Sequence, residues 1–495
     1  MTQVKLLAVV DAFLQREHGH FINGLSQPGG GALRPVVNPA TGQEIARVHD
    51  GCAEDVSAAM AAAQQAFRGS WAEMTALGRG KLLLKLADAM EQHREELAQI
   101  ETLCSGKAIT LSRELEVDQA VAFLRYFAGW AGKICGETTE ISLPPRGGEK
   151  YRGFTLREPL GVVVGIIPWN FSIMIAIWKM AAALVCGCTV VLKPSEFTPL
   201  TMLRVAQLAA DAGFPPGAIN VVNGNGGLLG PMLIEHPFCA KVTFTGSVPT
   251  GRSVGNAASA LAIPVTLELG GKNPALFLAD MTVGEMVDGI IEAGYLNQGQ
   301  ICASAERFYL PAEKMDEVLS GLIQRLARLN VASPLDEACQ VGPLANKAHL
   351  EKIQKLVARA KEDGDEILYG GYSPERPGYY FLPTVVKVRS ENSTLMREET
   401  FGPVGSFLAY HDEEKVLQQI NNSPFGLAAS VWTHNLNKAM RYSERMQAGI
   451  VWINMHSLLD PALPFGGVKG SGNGREFGSA FINDYTRLKS VMMRY

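Results

Sequence analysis

The sequence predicts an α/β protein with a doubly wound parallel sheet, a second α/β domain and a small β arm. Three observations lead to this fold class. Between residues 161 and 271, five apolar, β-rich runs alternate with segments of helical spacing, which is typical of a parallel sheet with helical crossovers. A second alternation of strands and helices covers 272–475. Residues 150–157 alternate like a strand with two different faces, outside either pattern.

These patterns also predict the domain bounds. At 495 residues the chain is too long for one simple core. We assign 1–135 and 161–271 to a first domain, 272–475 to a second, and 136–160 with 476–495 to the arm. Residues 1–50 predict a short amphipathic helix over 5–17 followed by polar loop. Residues 53–135 are expected to be helical, because apolar residues such as Val56, Ala59 and Ala63 recur at helical spacing.

Composition excludes several classes of function. Hydrophobic residues make up 47%, charged residues 19%, and the formal net charge is -4, so a nucleic-acid partner is not indicated. No uncharged apolar run is long enough to predict a membrane span, and the N-terminus lacks a signal-peptide pattern. The eight cysteines are scattered, which favours a reducing, cytoplasmic location. Cys186 and Cys188 lack the partner ligands of a metal clamp, so no metal site is expected.

Polar side chains follow the strands of the first predicted sheet. Asn170, Lys193, Glu196, Ser247 and Glu268 all lie at or just beyond strand ends. In open α/β sheets, ligands bind outside the carboxyl ends of the strands. The sequence therefore predicts a ligand site at this edge.

One part of that edge has features of a nucleotide site. The turn from Gly246 to Gly251 joins a strand to a helix, where backbone N–H groups can approach a phosphate. The spacing is not the usual dinucleotide fingerprint, so a purely structural turn remains an alternative. A carboxylate at Glu196 suits the hydroxyls of an adenosine ribose and would repel a 2′-phosphate, which favours NAD over NADP. The alternative for Lys193 and Glu196 is a surface ion pair.

The second domain contributes a candidate nucleophile. Cys302 lies in the glycine-containing loop 297–304 and can attack a substrate once it is a thiolate. Glu268 can act as a general base if a dry environment raises its pKa. Asn170 can be an oxyanion donor, the N-cap of the helix predicted over 171–185, or both. The sequence leaves open whether a histidine approaches Cys302 in space.

Together these residues resemble the aldehyde dehydrogenase superfamily over essentially the whole chain. The resemblance implies that family's fold, with an oligomerisation arm formed by 136–160 and the C-terminal strand. The matching motifs, in the family's order and spacing, are Pro168-Trp169-Asn170, Lys193-Pro194-Ser195-Glu196, Phe244-Thr245-Gly246-Ser247, Leu267-Glu268-Leu269-Gly270-Gly271-Lys272, Asn297-Gln298-Gly299-Gln300-Ile301-Cys302, Glu399-Thr400-Phe401-Gly402-Pro403 and Pro464-Phe465-Gly466-Gly467.

The resemblance implies a role for each motif. Cys302 would be the nucleophile, Glu268 the general base, and Asn170 with the Cys302 backbone N–H the oxyanion hole. Lys179 and Glu476 would relay protons behind Glu268. The implied cofactor is NAD, and the first domain would be its binding domain. The implied cofactor contacts are Trp169, Lys193, Glu196, Gly226, Gly246, Ser247, Gly251, Leu269, Glu399 and Phe401.

The resemblance also implies an apolar substrate pocket. Segments 13–19 and 454–460 are most similar to bacterial members that act on phenylacetaldehyde, so oxidation of phenylacetaldehyde to phenylacetate is expected. The implied pocket residues are Phe171, Ile175, Trp178, Tyr295, Leu296, Ile301, Leu459 and Phe465.

Other functions within the family remain as alternatives. Another aromatic or medium-chain apolar aldehyde would also suit an apolar pocket. A CoA-acylating relative is disfavoured because such enzymes generally lack the acid at the Glu268 position, and a non-catalytic relative would have lost Cys302 or Glu268. The arm implies a homo-oligomer, expected to be a tetramer built as a dimer of dimers.

Overall fold

The structure is a computed structural model that describes residues 4–144 and 147–495. Residues 1–3 of the predicted first domain, and residues 145–146 of the predicted arm, lie outside the described residues. The strands are β1 (Glu17–His18), β2 (His20–Ile22), β3 (Leu25–Gln27), β4 (Leu33–Asn38), β5 (Gln43–His49), β6 (Thr138–Thr139), β7 (Tyr151–Pro159), β8 (Val162–Ile166), β9 (Thr189–Lys193), β10 (Ile219–Val221), β11 (Cys239–Gly246), β12 (Val265–Leu269), β13 (Asn273–Phe277), β14 (Ala305–Pro311), β15 (Glu366–Tyr369), β16 (Thr384–Lys387), β17 (Val404–Tyr410), β18 (Ala428–Trp432), β19 (Ile450–Ile453), β20 (Gly472–Asn473) and β21 (Thr486–Arg494).

Helices connect most of these strands. A π-helical turn covers Ser112–Asp118, and 3-10 turns cover Leu296–Gly299 and Lys469–Ser471. The α-helices are α1 (Ala8–Leu14), α2 (Ala53–Arg68), α3 (Ala76–Gln92), α4 (Arg94–Ser105), α5 (Ile109–Leu111), α6 (Gln119–Ala128), α7 (Ser172–Val185), α8 (Leu200–Asp211), α9 (Gly226–Ile234), α10 (Val248–Ala260), α11 (Val283–Gly294), α12 (Met315–Leu326), α13 (Lys347–Glu362), α14 (Thr394–Arg397), α15 (Glu413–Asn421), α16 (Leu436–Arg445) and α17 (Phe481–Tyr485). No helix in the described part of the chain is both long and apolar enough to cross a bilayer.

The first sheet has the order β20-β12-β11-β8-β9-β10-β2-β3. Its five central strands, β8 to β12, run parallel, which confirms the predicted doubly wound fold. The chain leaves β8 in one direction to β9 and later returns on its other side to β11. A crevice therefore forms outside the carboxyl ends of β8 and β11, where ligands bind in such sheets.

Apolar residues on alternate faces of this sheet build two separate cores. Along β8, Val163 packs into one hydrophobic cluster, whereas Val162 and Val164 pack into the other. This alternation follows from the two-residue period of a strand. Every residue of α7, the helix that follows β8, is buried. Neighbouring elements therefore pack on all faces of this helix, which forms a rigid wall of the site.

The second sheet has the order β15-β16-β17-β14-β13-β18-β19 and is parallel except at β15. Only Gly270, Gly271 and Lys272 separate β12 of the first sheet from β13 of the second. The two sheets are thus joined directly beside Glu268, and the carboxyl end of one approaches the start of the other.

The arm consists of β21, β7 and β6. Strands β7 and β21 pair in antiparallel register from Tyr151 with Arg494 to Pro159 with Thr486. Large apolar side chains on β21 are exposed, among them Leu488 and Met492.

The structure differs from the predicted bounds near the C-terminus. Strand β20 pairs with β12 of the first sheet, and α17 packs against α7. Residues 472–485, which we had divided between the second domain and the arm, therefore pack on the first domain. The reason is a long-range pairing that no local periodicity reveals.

The N-terminal prediction is also corrected. The helix expected over 5–17 spans only Ala8–Leu14, and Glu17 begins β1. Much of the region expected to be polar loop forms β1 to β5. Strand β2 joins the first sheet through the pairing of Phe21 with Val221. These two residues lie 200 positions apart in the sequence, so no local pattern predicts that they pair.

Candidate active site between the two sheets

A cavity of ≈ 230 Å³ lies at the carboxyl edge of the first sheet. The first domain contributes residues at or just beyond the carboxyl ends of β8, β11 and β12, and the second domain contributes Cys302 and the loop around Glu399. Nine predicted site residues line this cavity, namely Trp169, Asn170, Gly246, Ser247, Glu268, Leu269, Cys302, Glu399 and Phe401. The fold therefore brings together side chains that lie up to 232 residues apart (169 to 401).

Glu268 is a buried carboxyl group that lines this cavity. It is buried, and neither of its oxygens has a hydrogen-bond partner among the described residues. Burial raises its pKa well above the usual value, the charge of Glu476 raises it further, and Lys179 opposes the shift. A carboxylate with a raised pKa is a stronger base than an exposed one.

Lys179 and Glu476 form a buried ion pair close enough to influence Glu268. The Lys179 Nζ lies 2.6 Å from Glu476 Oε1 and donates to Thr243 Oγ1 at 2.9 Å. Both side chains are almost completely buried. Lys179 comes from α7 and Glu476 from the C-terminal segment, so this pair also fastens that segment to the first domain.

The Cys302 loop has an unusual backbone. Asn297, Gln298 and Gly299 are three consecutive left-handed residues, with φ of 50°, 54° and 67°, and such a run is costly for the two that are not glycine. Burial raises the pKa of the Cys302 thiol to about 12, and the charges of Glu268 and Glu399 add to the rise. The backbone N–H groups of Ala303 and Cys302 act in the opposite direction.

Asn170 contacts this loop directly. Its Nδ2 donates to the carbonyl of Gln300 at 3.1 Å. The N-cap of α7 is Phe171, and no side chain caps that helix end. Of the two roles open from the sequence, the N-cap role is therefore wrong, and the amide faces the nucleophile loop.

Two histidines lie near the nucleophile, but neither pairs with it. His349 lines the cavity and its Nε2 donates to the Phe401 carbonyl at 2.7 Å. His456 donates to the Ala303 carbonyl at 2.7 Å. Burial lowers the pKa of each imidazole to about 4. Among the described residues, no hydrogen bond joins a histidine to the Cys302 sulfur, so a Cys–His dyad is not formed.

The turn from Gly246 to Gly251 presents a helix N-terminus to the cavity. Ser247 is the N-cap of α10, and its hydroxyl accepts from Thr250 N at 3.4 Å. A Cβ added at Gly251 would lie 2.2 Å from the Leu269 side chain, so glycine is required there for the helix to pack on β12. The N–H groups of this helix end suit an anion.

Lys193, Glu196 and Gly226 lie away from the cavity that contains Cys302. The Lys193 Nζ is buried and donates to the carbonyls of Pro194 and Gly224, and burial lowers its pKa to about 8. Glu196 accepts from Gly226 N at 3.3 Å and lies 3.5 Å from an Arg34 nitrogen. The alternative of a Lys193–Glu196 surface ion pair is therefore wrong.

The loop around Glu399 is fixed by buried charges. Glu399 Oε1 accepts from Gly271 N at 2.8 Å, and burial together with Glu306 raises the pKa of Glu399 to about 7. Phe401 adopts a left-handed φ of 58°, and Glu306 accepts from its N–H at 2.7 Å. Glu306 in turn pairs with Lys272.

Six of the eight predicted pocket residues pack in one hydrophobic cluster that includes Cys302. They are Phe171, Ile175, Trp178, Ile301, Leu459 and Phe465. Tyr295 lies in a different core, under the second sheet, and its hydroxyl donates to the Thr384 carbonyl at 2.9 Å. Tyr295 is therefore not part of the cluster that includes Cys302. Leu296 is half-buried on the 3-10 turn and is not part of the Cys302 cluster.

Comparison with known proteins identifies the family. The profile of the aldehyde dehydrogenase family matches residues 27–491. The chain belongs to this family. It is 43% identical over 467 residues to phenylacetaldehyde dehydrogenase of Pseudomonas fluorescens, covering 93% of this chain and 92% of that protein. It is 39% identical over 480 residues to human mitochondrial 10-formyltetrahydrofolate dehydrogenase, covering 96% of this chain and 52% of that protein.

A solved structure supports the same fold. The NAD+ complex of an aldehyde dehydrogenase from Bacillus cereus superposes with a TM-score of 0.96 at 39% identity, covering 99% of both chains. The protein is thus an aldehyde dehydrogenase whose cofactor is NAD. Its own residues fit that cofactor, because the α10 N-terminus suits the pyrophosphate and the carboxylate of Glu196 suits ribose hydroxyls.

Sequence reasoning missed several residues of this aldehyde dehydrogenase site. His349 and Lys352, at the start of α13, line the cavity. Phe123 and Phe477 pack on Trp178, with ring centroids 5.3 Å and 4.7 Å away. Phe477 directly follows Glu476, and this position next to a predicted site residue was a usable signal in the sequence. His349 belongs to no motif, so only the fold shows that it lies at the site.

Proposed function

We propose that this aldehyde dehydrogenase oxidises phenylacetaldehyde to phenylacetate through a thiohemiacetal and a thioester on Cys302. One observation carries the proposal. Cys302 belongs to the cluster that contains Phe171, Trp178 and Phe465, and it also lines the polar cavity of Glu268. An aromatic aldehyde could thus approach from one side while the cofactor approaches from the other.

The first step is attack by the Cys302 thiolate on the aldehyde carbon. The oxygen then becomes an oxyanion, which needs hydrogen-bond donors. An amide side chain has two N–H donors, and Asn170 uses one on Gln300, so the second is free for the oxyanion. The Cys302 backbone N–H supplies another donor.

Bound NAD supplies the hydride acceptor. The chain's part in this step is to hold the cofactor. Lys193, Glu196 and Gly226 would hold the adenosine ribose, while Glu399 would hold the nicotinamide ribose beside Trp169 and Phe401. Loss of hydride leaves the substrate as a thioester on Cys302.

Hydrolysis then releases the product. Glu268 takes a proton from water, the resulting hydroxide attacks the thioester carbonyl, and the thiolate leaves. Lys179 and Glu476 would carry the proton onward from Glu268, because their ion pair is buried and close enough to raise or lower the pKa of Glu268. The products are phenylacetate and free Cys302.

The arm supports a proposal about assembly. Exposed apolar side chains such as Leu488 and Met492 on β21 favour burial against another subunit, in a tetramer built as a dimer of dimers.

All eight cysteines are free, which supports a reducing, cytoplasmic location. We propose 272–471 as the catalytic domain, shortened from the predicted 272–475, and assign 472–485 to the NAD-binding domain.

A substrate panel tests the proposed specificity. We expect kcat/KM to be highest for phenylacetaldehyde, lower for benzaldehyde and hexanal, and about a hundredfold lower for a quaternary-ammonium aldehyde, because the apolar cluster offers a charge no partner. NADH formation without CoA is the measurement. Highest activity on the charged aldehyde, or activity only with CoA, would overturn the proposal.

A matched pair of cysteine variants tests the nucleophile. Cys302→Ala should abolish turnover, while Cys135→Ala, which changes an exposed cysteine, should retain it. Full turnover by Cys302→Ala would refute the covalent mechanism.

A further inference from the structure

His456 is a buried residue that the mechanism above does not use. It lies in the loop that follows β19, with only 1% of its surface exposed. Its ring packs against Trp452, with centroids 4.7 Å apart. Both ring nitrogens are hydrogen-bonded, one to Ser430 Oγ at 2.8 Å and the other to the Ala303 carbonyl at 2.7 Å. Ala303 is the residue next to the nucleophile.

The donors and acceptors in this chain of hydrogen bonds can be assigned. Trp432 Nε1 can only donate, and it donates to Ser430 Oγ at 3.0 Å. Because the Ala303 carbonyl can only accept, the single proton of the neutral imidazole lies on Nε2, and this N–H donates to the carbonyl. His456 Nδ1 therefore accepts, and the Ser430 hydroxyl donates to it.

The Ala303 bond completes a set of contacts along the nucleophile loop. Asn170 donates to the carbonyl of Gln300, and Ser304 N donates to that of Ile301 at 2.9 Å. Asn273 Nδ2 donates to the carbonyls of Cys302 and Ser304 at 2.8 and 2.9 Å.

All five carbonyls from 300 to 304 are thus held. A peptide plane carries one residue's carbonyl and the next residue's N–H, so the bonds to the Ile301 and Cys302 carbonyls orient the N–H groups of Cys302 and Ala303. The Ala303 carbonyl shares its plane with the N–H of Ser304, which donates to the Ile301 carbonyl. The N–H groups of Cys302 and Ala303 are the ones that lower the thiol pKa, so their direction matters for reactivity.

We infer that His456 is a positioning residue: it holds the Ala303–Ser304 peptide, whose N–H fixes the Ile301 carbonyl, and it thereby keeps the Cys302 N–H directed at the Cys302 sulfur and the oxyanion. This inference rests on the proposed role of Cys302 as the nucleophile. Since the strained backbone of Asn297, Gln298 and Gly299 leads into the same loop, the loop needs outside contacts to keep one conformation.

The test compares His456→Leu with His456→Gln. Leucine removes both hydrogen bonds, whereas the carboxamide of glutamine keeps an N–H donor that reaches the Ala303 carbonyl. The main readout is the rate at which iodoacetamide alkylates Cys302, measured by the mass of the peptide that contains Cys302, at fixed pH without any aldehyde. A merely structural residue would lower the melting temperature but leave the alkylation rate of the folded protein unchanged.

We expect His456→Leu to slow alkylation about tenfold, because each unit of rise in the thiol pKa lowers the thiolate fraction tenfold. Its kcat/KM should fall about a hundredfold, the size of effect expected from a small misplacement of a reacting group. His456→Gln should stay within about threefold of wild type in both measurements. His411→Leu, a change at an exposed histidine, should match wild type, and NAD binding should be unchanged in all variants.

Ser430→Ala tests the same inference without changing the histidine. It removes the hydroxyl that donates to His456 Nδ1 and orients the ring, so alkylation should slow about threefold to tenfold. The inference is overturned if a folded His456→Leu alkylates at the wild-type rate, if His456→Gln is as slow as His456→Leu, or if Ser430→Ala matches wild type. Should His456→Leu fail to fold, the other two variants decide. Because alkylation needs no turnover, these results are separate from those of Cys302→Ala.

Discussion

The two sides of the active site are built in different ways. On the first-domain side, Glu268 lies within β12, whose register with β11 places it opposite Thr245. Its position follows from regular strand pairing. On the second-domain side, Cys302 lies in a loop with left-handed residues at Asn297 and Gln298, and side chains from elsewhere hold it. The proposed base is therefore positioned by secondary structure, whereas the proposed nucleophile is positioned by tertiary contacts.

The environments of the two reacting groups also differ. Glu268 has no hydrogen-bond partner among the described residues, and burial dominates its raised pKa. Cys302 is surrounded by hydrogen-bonded backbone whose N–H groups partly oppose the effect of burial. Burial thus raises the pKa of both groups, and in the proposed mechanism each acts in its deprotonated form at a different step.

The largest expected effect comes from removing the base. Glu268→Gln should lower kcat by about 10²–10⁴-fold, the usual contribution of a general base, while a first burst of NADH remains because acylation precedes hydrolysis. The Glu268 pKa is raised, so in the wild type kcat should increase as pH rises through that pKa, and the variant should lose this dependence. Stopped-flow experiments measure the NADH burst, and steady-state rates over a range of pH measure the pH dependence of kcat.

The matched control for this prediction is Glu235→Gln, at an exposed position, which should behave as wild type. If Glu268→Gln loses both the NADH burst and turnover, then Glu268 acts before hydrolysis. The contrast between the Glu268 side and the Cys302 side of the site would then need revision.

A smaller effect should follow from loosening the nucleophile loop. Asn273→Ala removes the donor to the carbonyls of Cys302 and Ser304. We expect kcat/KM to fall about a hundredfold, because the reacting sulfur is misplaced, with little change in the Kd for NAD. Asn392→Ala changes an exposed asparagine and is the control. If Asn273→Ala kept full activity, tertiary contacts would not be what positions the nucleophile.

The smallest effect should come from Tyr295. Tyr295→Phe removes one buried hydrogen bond to Thr384, so the free energy of unfolding should fall by about 1 kcal/mol, as measured by urea denaturation. The kcat/KM ratio of phenylacetaldehyde to hexanal should not change, whereas Phe465→Leu in the Cys302 cluster should change it about tenfold. A changed ratio in Tyr295→Phe would return this residue to the substrate pocket.

The sequence by itself determined the parts of the protein that depend on local periodicity and residue chemistry. Alternating strands and helices predicted the doubly wound sheet, and the polar residues at its strand ends predicted where ligands bind. Glu268 and Cys302 were recognisable because an acid and a thiol can carry this chemistry. Family motifs then linked them to NAD, which the comparisons confirm.

Only the tertiary structure decided which distant groups meet. Asn170 contacts Gln300 across 130 residues, and His456 contacts Ala303 across 153. Strand β20 joins the first sheet, and Tyr295 turns into a core that does not contain Cys302. Such contacts depend on the path of the whole chain, because a side chain's face is set locally but its partner is set by the elements packed against it.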